Sequence, residues 1–146
     1  MHRTRETSDA NWIFYRLPDI HLMKAEAYAE TDNFSRSLEE LNMVRDRAGI
    51  DKYLDTDKKK LLEEILDERA REFVGEGKRW FDLVRVSRRD ISNRLSFIYE
   101  AVIANVNPQS RTAAATKIKD MDSWFLPVYY DELLLNRQLE QNPFYD

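Results

Sequence analysis

Apolar and small residues recur at steps of three and four along most of the chain, which is the spacing of one helix face. The first such segment covers about residues 19–30 and the second about residues 34–48. Pro18 suits the first turn of a helix, and Gly49 stands where a left-handed C-terminal cap is expected. Because the connecting turn at 31–33 is tight, the two helices are predicted to form an antiparallel hairpin.

Three further helices are predicted, with expected bounds at about residues 57–76, 78–87 and 94–106. Asp57 is placed to cap the first of them, and Asn107-Pro108 ends the last. Residues 109–123 carry a weak pattern and are predicted to be mostly loop. Extended apolar segments are expected at 12–15 and 124–128, and one helical turn is expected at 131–135.

The first hairpin has the spacing of a tetratricopeptide unit. In such a unit, small and large residues recur at fixed offsets on the two facing helices, and the residues at those offsets here are Ala25, Tyr28, Ser37 and Leu41. Small residues let the helices approach while large ones fill the space. The predicted fold class is all-α, with tetratricopeptide-like helical hairpins and an irregular C-terminal segment. A single hairpin cannot bury its own apolar face, so it needs neighbours.

Composition narrows the classes of function. The 146 residues fit one domain, and the net charge of −4 comes from interspersed acids and bases, which disfavours nucleic-acid binding. The absence of cysteine excludes disulfides and thiolate metal sites. No run approaches the roughly 20 apolar residues that cross a bilayer, and residues 1–7 lack the apolar core of a secretory signal.

Four glutamates at four-residue intervals form a carboxylate ridge on the third predicted helix: Glu64, Glu68, Glu72 and Glu76. Carboxylates of this kind can serve as a general acid and base or as metal ligands. Helical di-metal sites, however, add histidines from Glu-x-x-His pairs. His2 and His21 are the only histidines, and neither stands three residues after a glutamate. No metal and no cofactor is therefore expected.

The alternative interpretation of the ridge is an ion-pair lattice. Acids four residues apart repel by a few tenths of a kcal/mol unless a cation compensates them. Arginines near enough in sequence, or on the preceding hairpin, are Arg45, Arg47, Arg69, Arg71, Arg79 and Arg85. Because an arginine fork holds a carboxylate in fixed geometry, such a lattice sets helix register. This interpretation is favoured, and no catalytic residue is assigned.

Aromatic residues fall into two groups. Trp80 and Phe81 lie on a short predicted helix and are expected in the core. Five others lie in or near irregular segments, where aromatics can stack on sugar rings: Trp12, Tyr99, Trp124, Tyr129 and Tyr130. Burial against the missing N-terminal part of a longer protein is the favoured expectation for most of them, so no substrate-binding residue is assigned.

Three blocks of sequence carry a family resemblance. Residues 68–85 match every fixed position of E-R-x-x-E-x-x-x-E-G-x-R-x-x-D-L-x-R, the signature of the SusD/RagB family. Residues 15–50 are similar to its arginine-led repeat hairpin, and residues 125–146 are similar to its closing segment. The closing segment departs from the family pattern at Tyr129, Arg137 and Phe144. The signature residues given a structural ion-pair role are Glu68, Arg69, Glu72, Glu76, Arg79, Asp82 and Arg85.

The resemblance implies a non-enzymatic surface lipoprotein of the outer membrane. Such a protein binds an oligosaccharide or other nutrient for a SusC-like TonB-dependent transporter. Residues 1–146 are expected to be the C-terminal helical domain of a longer protein, serving as scaffold and transporter-contact region. The lipid anchor and most of the nutrient site are then expected in the missing N-terminal part.

The sequence also allows two other functions. A generic tetratricopeptide-type adaptor would need at least two more repeats in phase, and the sequence contains none. A carboxylate-dependent glycoside-acting enzyme would use two of the ridge glutamates. Whichever function holds, apolar faces left exposed predict that the isolated chain self-associates.

Overall fold

The computed structural model describes residues 14–145, and among these it is about 70% helical and contains no strand. The all-α fold class is therefore confirmed. The chain divides into two units, Met1–Glu76 and Gly77–Asp146. None of the helices within the described range is both long enough and apolar enough to cross a membrane.

From residue 14 onward the first unit contains three helices: α1 at Leu17–Glu30, α2 at Phe34–Ala48 and α3 at Lys58–Glu72. Their ends follow from local chemistry. Gly49 adopts the predicted left-handed conformation, with φ of 71°, and ends α2. The Asp57 side chain accepts a hydrogen bond from the Lys60 backbone N–H at 3.0 Å and so caps α3 as predicted.

Helices α1 and α2 form the predicted hairpin. The hydroxyl of Ser37 donates a hydrogen bond to the Ala25 carbonyl at 2.7 Å, and both residues are fully buried, as is Leu41. Tyr28 is half-buried. The small residues therefore allow the close approach that the tetratricopeptide spacing predicts. Helix α3 adds Leu61 and Ile65 to the same core, both with no exposed surface.

Up to residue 145 the second unit contains four helices: α4 at Arg79–Arg89, α5 at Ile91–Asn105, α6 at Arg111–Lys117 and α7 at Tyr130–Leu135. Short 3₁₀ turns occur at Pro108–Ser110, Met121–Trp124 and Pro143–Tyr145. Its core is a cluster of Leu83, Ile98, Ile118 and Trp124.

Two hydrogen bonds hold the tryptophans of this core. The Trp124 indole N–H donates to the Ile118 carbonyl at 2.8 Å, and the Trp80 indole N–H donates to the Trp124 carbonyl at 3.0 Å. Each buried N–H therefore has an acceptor, as a buried polar group requires. Trp80 packs against the core as predicted.

Three local predictions were wrong. Helix α3 ends at Glu72, four residues before the predicted end, because the chain turns through Gly75 with φ of 80°. Helix α6 lies in the segment predicted to be loop; three successive alanines, at 113–115, supply enough helix propensity there. Phe81, predicted to be in the core, is 72% exposed.

Enlarging Ala25 tests the close approach of α1 and α2. The Ala25→Leu variant should lower the free energy of unfolding by about 1–3 kcal/mol, because the added carbons meet a packed core. Ala27→Leu, on the exposed side of the same helix, should change it by less than about 0.5 kcal/mol. Urea unfolding at dilute protein concentration measures both. Equal effects of the two variants would contradict the packing described.

Candidate functional site

Arginine side chains pair with the glutamates of the carboxylate ridge, three of which lie on α3 and the fourth, Glu76, in the turn that follows it. The Glu68 carboxylate is 2% exposed and accepts hydrogen bonds from Arg45 at 3.0 Å and from Arg71 at 2.7 Å. The same two arginines donate to Glu64, each at 2.5 Å. Arg45 comes from α2 and Arg71 from α3 itself. The two glutamates and two arginines therefore join α2 to α3.

The C-terminal half of the ridge is held by arginines from the hairpin. Arg16, which immediately precedes α1, donates to Glu76 at 2.9 Å and also pairs with the carboxylate of Glu72 and with its backbone carbonyl. Arg47 of α2 donates to the second oxygen of Glu72 at 2.6 Å. Burial lowers the pKa of Arg16, but the hydrogen bonds with Glu72 and Glu76 outweigh it and raise the pKa above its ordinary value.

A buried ion pair ties α1 to α3. The Arg69 guanidinium donates to the Asp19 carboxylate at 3.2 Å, and the two residues are 6% and 1% exposed. The guanidinium carbons of Arg16 and Arg69 both lie over the ring of Phe73, at 4.7 Å and 5.0 Å from its centroid. Each contact is a cation–π interaction. Phe73 therefore positions both Arg16, which pairs with the ridge, and Arg69, which pairs with Asp19.

A second, smaller ion cluster links α1 and α2. Nδ1 of His21 lies 2.7 Å from a Glu40 oxygen, and Lys24 pairs with the other oxygen. Burial raises the pKa of the Glu40 carboxyl. The hydrogen bonds and charges of His21 and Lys24 oppose this effect and exceed it, so the pKa lies below its usual range. His21 is thus held by a carboxylate between the helices.

The remaining signature residues lie in the second unit. Asp82 is 6% exposed in the first turn of α4, where a negative charge complements the helix dipole. Its carboxylate accepts a hydrogen bond from Arg85 at 3.3 Å. Arg79 is half-buried at the start of the same helix. The signature therefore supplies ion pairs to both units.

A known protein family matches the chain along almost its whole length. The family model described as the SusD family matches residues 2–145. The chain belongs to the SusD family. A curated relative, SusD-like protein P38 from Formosa agariphila, is 29% identical over 143 residues; the match covers 92% of this chain and 24% of the relative. The chain thus spans about a quarter of that relative's length. No solved structure matches it.

Side-chain amides near the end of this SusD-family chain hold its closing segment in place. The Gln141 amide accepts from the Val128 N–H at 2.8 Å and donates to the Val128 carbonyl at 3.1 Å. The Asn142 amide donates to the carbonyls of Asp122 and Phe125, at 2.9 Å and 3.1 Å. These bonds satisfy backbone groups of the irregular residues 125–128 and of the 3₁₀ turn that precedes them.

Aromatics in the irregular parts of the SusD-family chain divide by burial. Trp124 is 2% exposed and Tyr99 is half-buried, both within this chain's own core. Tyr129 and Tyr130 are 69% and 67% exposed in this chain, and their burial against a missing N-terminal part stays a prediction. Trp12 lies outside the described residues. Within residues 14–145 no group of three or more His, Asp or Glu residues is placed to hold a metal ion.

The sequence interpretation missed two functional partners, Arg16 and Asp19. Both are 50 or more residues from their partners on α3, so helical spacing gives no sign of the pairing. The signal that the sequence offered is that both residues lie in 15–50, the block that is similar to the repeat hairpin of the SusD/RagB family. An arginine before a helix and an acid in its first turn are otherwise ordinary.

Removing the central carboxylate tests the lattice. Glu68→Gln should lower the free energy of unfolding by about 1.5–3 kcal/mol, because Arg45 and Arg71 keep Glu64 but each loses its hydrogen bond with the buried Glu68 carboxylate. Glu63→Gln on the same helix removes a 3.8 Å surface pair with Lys59 and should cost less than about 0.5 kcal/mol. Chemical denaturation measures both, and a Glu68 variant as stable as the Glu63 variant would contradict the lattice.

Lowering the pH tests the Glu40 cluster. Because the pKa of Glu40 is depressed in the folded state, its contribution to stability is present above its unfolded pKa. That contribution is lost as the pH falls through the folded value. The difference in free energy of unfolding between the unmodified chain and Glu40→Gln should be largest above about pH 5 and shrink below about pH 4. A difference independent of pH would contradict this assignment.

Proposed function

We propose that the protein represented by this chain binds a glycan or similar nutrient at the surface of the outer membrane. The nutrient passes to a SusC-like TonB-dependent transporter. Residues 1–146 form the C-terminal helical portion and act as scaffold and transporter-contact region. Membership of the SusD family supports this proposal, since its members are binding proteins rather than enzymes.

The observation that best supports the scaffold role is that arginines pair with the glutamates of the ridge. Each of its four glutamates pairs with at least one arginine, and those arginines come mainly from other helical segments. A general acid or base must be within hydrogen-bonding reach of the substrate. Carboxylate oxygens already bonded to guanidinium groups instead hold helices together.

The geometry argues against glycoside hydrolysis on the ridge. A glycosidase places two carboxyl groups on either side of an accessible glycosidic bond. Here Glu68 is 2% exposed, and Arg45 bridges it to Glu64. A sugar would have to displace those arginines to reach either group.

The outward side of α2 is the proposed transporter contact. Met43 is 49% exposed on a side of the helix that is otherwise polar. A single exposed apolar residue is ordinary on a protein surface, so Met43 serves here as the position at which the proposed contact is probed. The ion pairs of Arg45 and Arg47 hold this helix against α3, so the surface is presented on a rigid support.

Affinity isolation from outer membranes tests the proposal. The full-length protein that contains this chain should copurify with a TonB-dependent transporter, identified by mass spectrometry. Met43→Asp should reduce the yield of transporter about tenfold, corresponding to about 1.4 kcal/mol of binding free energy. Leu135→Asp, which alters an exposed leucine of the second unit, serves as the matched control and should not reduce it.

The outcomes separate the two parts of the proposal. Isolation without any transporter would contradict the uptake function. Copurification unaffected by Met43→Asp would contradict the contact region alone. Hydrolysis of a polysaccharide by the purified protein, lost in a folded Glu72→Gln variant, would replace both with an enzymatic function.

A further inference from the structure

One side of α4 carries arginines next to an aromatic ring. An open depression of about 590 Å³ lies on this side, and five residues line it: Phe81, Val84, Arg85, Arg88 and Arg89. The first four are spaced at steps of three and four, so they share one face of the helix. Because all five line the same depression, they form one continuous surface of the second unit, which we name the α4 pocket.

The lining of the α4 pocket is positively charged. Three of its five residues are arginines, all of them exposed, and none is an acid. Arg85 is partly balanced by Asp82, which accepts its hydrogen bond at 3.3 Å. A depression lined by charges of one sign concentrates the electrostatic field and attracts ligands of the opposite sign. The α4 pocket therefore favours an anionic ligand.

Arg88 is held in position within the α4 pocket. Its guanidinium carbon lies 5.5 Å from the centroid of the Phe125 ring, a cation–π contact. The described residues provide Arg88 with no carboxylate partner. The contact with Phe125 restricts the guanidinium group, and its N–H donors remain able to bind a carboxylate through two parallel hydrogen bonds.

Phe81 adds an apolar surface beside these charges. Its side chain is 72% exposed, although it lines the same depression as the arginines. Sites for small ligands combine apolar surface with a few polar groups that fix orientation. A sugar acid matches this combination, because one side of its ring presents C–H groups and its carboxylate is an anion that a guanidinium group binds well.

We propose that the α4 pocket binds a uronic acid unit of an acidic oligosaccharide, with its carboxylate on Arg88 and its ring against Phe81. This inference rests on the proposed function and narrows its substrate class. The volume of about 590 Å³ lies within the range of small-molecule sites. An acidic peptide would also satisfy the arginines, but the exposed ring of Phe81 beside them favours a ligand with a flat apolar face.

Isothermal titration calorimetry on the full-length protein that contains this chain tests the proposal. The probes are oligosaccharides of galacturonate and of mannuronate, each compared with its methyl ester, which has the same rings without the charge. At least one acidic probe should bind about tenfold or more tightly than its ester, because hydrogen bonds between charged partners are strong.

Three variants locate that binding. Arg88→Gln should weaken it about tenfold, and Phe81→Ala should weaken it about threefold or more through the lost ring contact. Both side chains are exposed, so circular dichroism should show both variants folded. Arg111→Gln is the matched control, because it removes the charge of an exposed arginine outside the α4 pocket, and it should leave the binding unchanged.

The possible results are distinct. Acidic probes that bind no more tightly than their esters, or binding that Arg88→Gln does not weaken, would overturn the proposal. Tetraglutamate that binds as tightly as the better uronate, with Phe81→Ala weakening neither, would overturn the sugar assignment. Copurification of the transporter does not depend on these residues, so a negative result here with the transporter still present contradicts this inference and leaves the proposed function standing.

Discussion

Burial of charge on α3 is the constraint on which the first unit depends. A helix that repeats glutamate every four residues and turns that side inward is unstable unless cations meet it. In this chain the cations come from three places: the segment before α1, the end of α2, and α3 itself. The hairpin must therefore dock on α3 in the one register that brings Arg16, Arg45 and Arg47 to their partners.

This arrangement fixes the relative positions of the helices more closely than apolar contacts alone would. Apolar side chains tolerate sliding between helices, whereas a guanidinium fork on a carboxylate fixes both distance and direction. Phe73 also restricts these positions, because the guanidinium groups of Arg16 and Arg69 both lie over its ring. The result is a set of helices joined in a fixed register, with exposed apolar side chains such as Met23 and Met43 on their outer sides.

Much of this fold was predictable because its signals are local. The hairpin follows from the spacing of Ala25 and Ser37, and the helix ends follow from Gly49 and Asp57. The ridge itself was visible as a four-residue repeat. Arg16 and Asp19 were missed because their partners are 50 or more residues away, and only tertiary packing brings them together.

The predictions that were wrong also have physical causes. The segment containing α6 has few large apolar residues, so periodicity is weak there even though its alanines favour a helix. Phe81 was expected in the core because aromatics usually are. In this structure its neighbour Trp80 takes the inward direction, and Phe81 stays on the outside of α4. Sequence pattern identifies an amphipathic helix more reliably than it places each aromatic residue.

A double-mutant cycle between Asp19 and Arg69 tests the central claim most directly, namely that the buried charges of α3 act by binding helices together. Asp19→Asn, Arg69→Met and the double variant are compared with the unmodified chain by urea unfolding. The account predicts that the two effects are strongly non-additive, with a coupling of about 1.5–3 kcal/mol. Effects that add within about 0.5 kcal/mol would contradict it.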